Sequence, residues 1–159
     1  MTIPPVVALI PKMTTVFIVR HADKAAGGGS DPQLSPAGLQ RAQTLAYTLR
    51  QDKVKAVFVT SFLRSRQTGE PTAVESGVTM QEYSNANAVA DLILANFEGR
   101  RVLVVAHSDT VKVIAARLTA SLAVPVANIL EHQYDRFYAV HRNGPNGHLD
   151  RLRYGAATP

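Results

Sequence analysis

The sequence predicts an α/β fold, a three-layer α/β/α sandwich with a largely parallel sheet and antiparallel strands at one edge. Apolar runs rich in β-branched residues alternate with helical patterns over the first three quarters of the chain. This alternation favours buried parallel strands that are joined by helices. The last quarter contains two strand-like runs around a turn rich in glycine and asparagine, which predicts an antiparallel pair.

The first predicted strand is the continuous apolar run 15–19, and the next element is a helix that begins at Pro36. Ser35 is a good N-cap and proline suits the first helical position, while Leu34 is expected to pack onto Leu39. Arg41 is assigned to another face of this helix. The predicted buried face consists of apolar residues at helical spacing, which are Leu39, Ala42, Ala46 and Leu49.

The middle of the chain repeats the pattern of strand and helix. A second strand is predicted at 56–60, and Pro71 is expected to restart the helix that follows, with Gly77 as its C-terminal stop. A weakly signalled third strand is expected at 78–83. The next helix is predicted over 86–97.

The strand with the clearest pattern is RVLVVA at 101–106, and Ser108 is expected to cap the helix after it. The final strands are predicted at 135–141 and 148–154, with a turn at 142–147 between them. The apolar face of the helix after Ser108 is expected to contain Val111, Ile114, Ala115 and Leu118.

Length and composition exclude several classes of protein. The 159 residues predict one domain, 14–159, preceded by an extended apolar arm, 1–13. The absence of cysteine excludes disulfide scaffolds, thiolate nucleophiles and Cys-ligated metals. No apolar run has the length of a membrane span, and residues 1–13 do not resemble a secretory signal, so we expect a cytoplasmic protein with no membrane partner. The net charge of +5 favours an anionic partner.

Polar residues follow three of the predicted strands at the point where each strand ends. Arg20 and His21 follow the first strand, the segment 60–66 follows the second, and His107 follows RVLVVA. Because ligands bind beyond the carboxyl ends of parallel strands, we expect these side chains to share one pocket. The planar guanidinium matches phosphate oxygens, and a histidine among such groups can attack phosphorus.

Four motifs in these positions resemble the histidine phosphatase superfamily, which is also called phosphoglycerate mutase-like. They are VRHA at 19–22, LSPAG at 34–38, TSFLRSRQT at 60–68 and VVAHS at 104–108. Each motif alone is weak, but the four occur in order, with the spacing of the family and each at its expected place in the fold. The resemblance extends from residue 15 to about residue 120.

The resemblance implies a role for each residue of the predicted pocket. His21 is the expected nucleophile, which takes the phosphoryl group and becomes a phosphohistidine. Arg20, Arg64 and His107 are expected to hold the phosphoryl oxygens and to neutralise the charge that builds up during transfer. Arg64 is preferred to Arg66 because it lies four residues before Thr68, as in the motif of the family. No metal and no cofactor are implied.

The resemblance also indicates a branch of the family and a proton donor. Ala22, Asp23 and Lys24 match the R-H-A-[DE]-K form, which is similar to small phosphatases of the SixA-like group. The family supplies a carboxylate that protonates the leaving oxygen, and Glu82 is the best positional match. Asp109, close to His107 in the sequence, is the alternative. The short chain implies an open pocket, suited to small phosphoesters or to a phosphoprotein.

We therefore expect a metal-independent phosphatase that hydrolyses phosphomonoesters or phosphohistidine through an intermediate on His21. Two alternatives stay open: a phosphotransferase of the phosphoglycerate mutase type, and a non-catalytic domain that binds phosphorylated partners. The closing strands alternate basic and aromatic residues, a pattern that is more common in an edge pair with one charged face than in a nucleic-acid-binding surface. Nucleic acid is therefore not expected as a partner.

Overall fold

The computed structural model describes residues 2, 12–120 and 126–159, so most of the predicted arm 1–13 lies outside the described residues. These ranges contain six strands and four helices, which alternate as far as the last two strands. The strands are β1 (Thr14–Arg20), β2 (Ala56–Val59), β3 (Met80–Glu82), β4 (Arg101–Ala106), β5 (Arg136–Asn143) and β6 (Asn146–Arg153). The helices are α1 (Pro36–Leu49), α2 (Leu63–Ser76), α3 (Ala86–Asn96) and α4 (Val111–Thr119).

The strands form one sheet in the order β3-β2-β4-β1-β5-β6. The first four of these run parallel to their neighbours, whereas β5 is antiparallel to β1 and β6 is antiparallel to β5. The predicted mixture of a parallel sheet with antiparallel edge strands is confirmed. The turn between β5 and β6 is shorter than expected, because the two strands continue to Asn143 and from Asn146.

Helices cover both faces of the sheet, and each face has its own apolar core. Alternate side chains of β1 and β4 point to opposite faces, since successive residues of a strand alternate. Val16 and Ile18 pack with residues of α3 and α4, whereas Phe17 and Val19 pack with residues of α1 and α2. The three-layer arrangement is therefore confirmed. Within the described ranges, no helix is both long and apolar enough to cross a membrane.

The start of α1 follows the prediction, and so does most of its buried face, since Ala42, Ala46 and Leu49 are buried. Ser35 is the N-cap, and its hydroxyl accepts the Gly38 N–H at 3.1 Å. Leu39, predicted to be buried, is 48% exposed, and Leu34 packs instead with two alanines. Arg41, which was assigned to another face, is buried. The reason is a partly buried carboxylate partner, Asp23, on the loop after β1, which the periodicity of a single helix does not show.

Two other helix boundaries differ from the prediction. Pro71 does not restart a helix but lies inside a continuous α2, which ends at Gly77 with φ of 67° as expected. One proline removes one hydrogen bond, and α2 is held by its packing against α1 and β2. Ser108 is not the N-cap of α4, since residues 108–110 form a turn and Thr110 is the cap.

Candidate active site

The register of the parallel strands brings the predicted site residues to one edge of the sheet. Arg20 lies opposite Ala106 in the pairing of β1 with β4, so His21 and His107 leave the sheet side by side. Their ring centroids are 5.4 Å apart. Both rings line an open cavity of about 520 Å³, together with Arg20, Lys24, Phe62, Arg64, Ser108, Asp109, Thr110 and Glu131.

One nitrogen of the His21 ring is fixed by the backbone next to it. Nδ1 lies 2.9 Å from the carbonyl oxygen of Ala22. A carbonyl oxygen only accepts hydrogen bonds, so Nδ1 carries the proton and Nε2 keeps its lone pair. The ring is 3% exposed, and its backbone N–H donates to the carbonyl of Ala106 at 2.9 Å. His21 is therefore oriented with an unprotonated nitrogen available for attack.

The Arg20 guanidinium is buried at the end of β1 and held by a distant segment. Its Nη1 atom lies 2.8 to 3.3 Å from three carbonyl oxygens, those of Leu130, Glu131 and Gln133. The Tyr134 ring stacks on it, with 4.4 Å from the guanidinium carbon to the ring centroid. These contacts fix the orientation of Arg20 before any ligand binds, which lowers the entropy that a ligand must remove.

Three guanidinium nitrogens in the site are buried and have no hydrogen-bond partner within the described part of the chain. They are Nε of Arg20 and both Nε and Nη1 of Arg64. Buried donors without acceptors are costly, about 1–3 kcal/mol each and more when charged. Phosphoryl oxygens are acceptors that match a guanidinium. Both arginines line the cavity of His21, so they bring to it guanidinium donors that the described part of the chain does not use.

His107 is the second ring of the cavity and is held by neighbouring hydroxyl groups. Its Nε2 atom lies 2.8 Å from Oγ1 of Thr60, and its backbone N–H donates to Oγ1 of Thr110 at 3.0 Å. The Phe62 ring packs against His107 edge to face, with centroids 5.3 Å apart. The same Phe62 ring supports the Arg64 guanidinium at 4.4 Å. Phe62 thus positions two of the predicted phosphate ligands.

The Thr68 hydroxyl joins the loop that carries His21 to the helix that carries Arg64. It accepts the Ala22 N–H at 2.9 Å and donates to the carbonyl of Arg64 at 2.7 Å. This explains in physical terms why a threonine lies four residues after Arg64. Ala22, whose carbonyl oxygen orients the His21 ring, is therefore itself held in place by Thr68.

Replacing Thr68 with valine is expected to destabilise the protein by about 1–3 kcal/mol, because the buried Ala22 N–H then has no acceptor. The free energy of unfolding in urea measures this loss. Thr44→Val is the matched control, since the Thr44 hydroxyl bonds only within α1, to Gln40 at 3.0 Å on the exposed face. Equal losses at the two positions would contradict the proposed link.

Burial and nearby cations keep both histidines neutral. Burial lowers the pKa of His21 to about 3, and the charges of Arg20 and Arg64 act in the same direction. Burial also lowers the pKa of His107 to about 4, assisted by Arg64. In the unfolded chain both histidines have a pKa near 6.5. Between about pH 4 and pH 6.5 they therefore bind more protons in the unfolded chain than in the folded chain. Stability should therefore fall as the pH decreases from 6.5 towards 4.

We expect His21 to be neutral, with its proton on Nδ1, down to about pH 5 in the ligand-free protein. Long-range ¹H–¹⁵N NMR spectra distinguish the two tautomers and the cation directly. Protonation of the His21 ring at a pH well above 5 would contradict this prediction.

The two candidate proton donors lie in different places. Glu82 is at the end of the edge strand β3, where it is half exposed and pairs with Arg66 at 3.3 Å. It is not among the residues that line the cavity of His21. Asp109 does line that cavity, and its charge raises the pKa of His107. Arg66 is 52% exposed and does not line the cavity, whereas Arg64 does.

Several residues of the site were not predicted from the sequence. Lys24 and Glu131 line the cavity and contact each other, with 2.6 Å between Nζ and Oε1. Tyr134 packs on Arg20 and lies near the His21 ring. Lys24 was visible as part of the R-H-A-[DE]-K pattern. Glu131 and Tyr134 lie in a segment with no periodicity, about 110 residues from Arg20, and no sequence signal identifies them.

Behind the cavity, a buried ion pair holds the loop that follows His21. Asp23 accepts from Nε of Arg41 at 2.7 Å, and Nη1 of Arg41 donates to the carbonyl of Tyr154. Gly38 allows this loop to approach α1, because a Cβ at that position would lie 2.2 Å from the Asp23 carbonyl oxygen. Within the described ranges, no group of three or more His, Asp or Glu side chains is arranged to hold a metal ion.

Fold and site together define an α/β/α protein with a cavity lined by histidines and arginines at the carboxyl edge of its sheet. The model of the histidine phosphatase superfamily (branch 1) matches residues 16–85, which contain three of the four motifs. The resemblance to this superfamily is therefore confirmed, and the fold is the phosphoglycerate mutase-like fold.

Solved structures share this fold at low sequence identity. The protein histidine phosphatase SixA, solved with tungstate, has a TM-score of 0.71 and 24% identity, and the match covers 87% of this chain and 96% of that one. A mycobacterial glucosyl-3-phosphoglycerate phosphatase has a TM-score of 0.70 and 14% identity, with 91% and 100% covered. No curated protein sequence matches the chain.

Proposed function

We propose that this protein is a metal-independent phosphatase that hydrolyses phosphomonoesters or phosphohistidine through a covalent intermediate on His21. The observation that carries the proposal is the Nδ1–H bond to the Ala22 carbonyl, which leaves Nε2 unprotonated beside the unpaired donors of Arg20 and Arg64. The similarity to named phosphatases supports a phosphoric monoester hydrolase.

In the first step the Nε2 lone pair of His21 attacks phosphorus. A nitrogen–phosphorus bond forms, the bond to the leaving oxygen breaks, and that oxygen takes a proton. The imidazole ring gains positive charge during attack, and the Ala22 carbonyl stabilises this charge through Nδ1–H. The guanidinium groups of Arg20 and Arg64 balance the negative charge on the phosphoryl oxygens.

In the second step a water molecule attacks the phosphohistidine. The nitrogen–phosphorus bond breaks, inorganic phosphate leaves, and the proton of the water is returned to the group that acted as proton donor. His107 is a neutral ring, and its Nε2 atom already contacts the Thr60 hydroxyl, so this nitrogen is not free to attack phosphorus. We therefore assign to His107 the binding of a phosphoryl oxygen.

Asp109 is the carboxylate that we propose as proton donor, because it lines the cavity, whereas Glu82 does not. Asp109→Asn should lower kcat/KM about 10- to 100-fold for an alkyl phosphate, whose leaving oxygen needs a proton, and much less for 4-nitrophenyl phosphate. Steady-state kinetics with both esters measures this. The opposite pattern, a leaving-group-dependent loss in Glu82→Gln only, would assign the role to Glu82.

The proposed function is tested by the hydrolysis of 4-nitrophenyl phosphate between mildly acidic and neutral pH with a chelator present. The expected result is steady release of nitrophenol and inorganic phosphate in equal amounts. A requirement for an added divalent metal would contradict the mechanism. Binding of phosphate without any turnover would favour a non-catalytic domain, and transfer of the phosphoryl group to an added sugar acid would favour a mutase.

A further inference from the structure

The charged groups of the candidate active site are separated by depth. The guanidinium groups are inside, where the Arg20 and Arg64 side chains are 2% and 15% exposed. The carboxylates are more exposed: Glu131, which lines the cavity, is 71% exposed, and Asp31, beside Arg64, is 51% exposed. Asp109 is also exposed and lines the cavity. A ligand therefore meets carboxylates outside and arginines inside.

Each of these carboxylates is held at the mouth by a contact with the site. Glu131 contacts Nη2 of Arg20 at 3.2 Å and Nζ of Lys24 at 2.6 Å, and the Lys24 hydrogen bond lowers the pKa of the Glu131 carboxyl. Asp31 accepts the Leu63 N–H at 2.9 Å and lies 3.8 Å from Nη1 of Arg64. Glu131 is therefore held as a carboxylate at the cavity, and Asp31 is held beside Arg64.

This separation of charge affects the two ends of a substrate differently. We place the phosphoryl group in the interior, beside Arg20 and Arg64, which line the cavity and carry donors without a hydrogen-bond partner in the described part of the chain. The group to which phosphorus is attached stays at the mouth, near Glu131, Asp31 and Asp109. A carboxylate on that group is repelled there, because like charges at short range disfavour binding, whereas an ammonium or guanidinium group is attracted. Lys24 and Arg20 contact Glu131 and offset part of its charge, so the expected preference is modest, and Glu131→Gln measures how much of it this carboxylate supplies.

We propose that the site selects phosphoryl compounds that carry positive charge next to the phosphoryl group, and that Glu131 is the principal specificity residue. This inference rests on the proposed function and narrows its substrate class. Two sources supply such chemistry: a basic polypeptide segment around a phosphorylated residue, and a small phosphoester with an amine. A substrate of the phosphoglycerate type, with a carboxylate beside the phosphoryl group, is disfavoured.

The test compares O-phosphoethanolamine with phosphoglycolate, which have similar lengths and opposite charges beside the phosphoryl group. For the wild-type protein we expect kcat/KM to be about five- to tenfold higher for the amine. In Glu131→Gln this ratio should fall to about twofold. Glu98→Gln, the same change at an exposed position outside the cavity, should retain the wild-type ratio. Added salt should reduce the wild-type ratio, since exposed charges are screened.

A second arm uses two phosphotyrosine peptides that differ only in arginine or glutamate residues beside the phosphotyrosine. A preference for the arginine peptide that is larger than the preference between the small esters identifies a polypeptide as the source. A preference only among the small esters identifies an amine ester. Equal kcat/KM within both pairs, or a wild-type ratio that survives in Glu131→Gln, would overturn the inference.

The failure of the inference is distinguishable from the failure of the proposed function. 4-Nitrophenyl phosphate carries no second charge, so its hydrolysis tests the function alone. If none of these compounds is hydrolysed, the proposed function is wrong, and calorimetric titration with O-phosphoethanolamine and phosphoglycolate still tests the charge preference. Tighter binding of the amine that disappears in Glu131→Gln supports the preference, and equal affinities refute it.

Discussion

Replacing His21 with alanine is expected to lower kcat for 4-nitrophenyl phosphate by about 10⁴-fold or more, because the variant has no atom that can form the intermediate. The effect is the largest that we predict for a single residue, since both steps of the reaction pass through Nε2. The substitution should not unfold the protein, because the backbone N–H of residue 21 still bonds to Ala106. Steady-state hydrolysis and circular dichroism measure the two properties.

His148→Ala is the matched control for this prediction. The side chain of His148 is 75% exposed on β6 and contacts Asp150, far along the sheet from the cavity edge of β1. Its removal deletes the same ring and should leave kcat within about twofold of the wild-type value, as is usual for surface substitutions. Comparable losses in the two variants would show that the effect at His21 is not chemical.

Replacing Arg64 with methionine is expected to lower kcat/KM about 10²- to 10³-fold, the usual effect of removing one preorganised donor from a site of charge development. Among the buried guanidinium nitrogens of the described part of the chain, three have no hydrogen-bond partner, and two of these belong to Arg64. The loss should appear largely in kcat, because the charge on the phosphoryl oxygens is best balanced in the transition state. Methionine keeps an unbranched apolar side chain at this position and removes only the guanidinium that lies over Phe62.

Arg66→Met provides the comparison on the same helix. Arg66 is half exposed and pairs with Glu82, so its removal is expected to change kcat/KM by less than about threefold. The pair of variants thus tests the choice of Arg64 that the spacing to Thr68 suggested. A larger loss at position 66 than at position 64 would reverse that choice.

The sequence predicted the sheet and the residues at its edge because both depend on local patterns. Continuous β-branched runs and the N-cap Ser35 determine where β1 and α1 lie, and parallel strands bring their carboxyl ends together. Arg20, His21, Arg64 and His107 were therefore assigned to one pocket, and the structure brings all four to the same cavity. Their catalytic roles remain proposals.

What the sequence did not predict depends on contacts between distant segments. Arg41 is buried because Asp23 and Tyr154 meet it, and helical periodicity contains no information about either partner. Glu131 reaches Lys24 and Arg20 across more than 100 positions of the chain, from a segment without a regular pattern. Such charge pairs follow from the folded arrangement of loops rather than from local propensity.

The most direct test of the account is to identify the residue that carries the phosphoryl group during turnover. Wild-type protein is mixed with 4-nitrophenyl phosphate, quenched rapidly in alkali and analysed by intact-mass and peptide mass spectrometry. We expect one phosphoryl group on His21, stable in alkali, lost in acid and absent from His21→Ala. A phosphoryl group on another residue, or phosphate release by His21→Ala at the wild-type rate, would contradict the central claim.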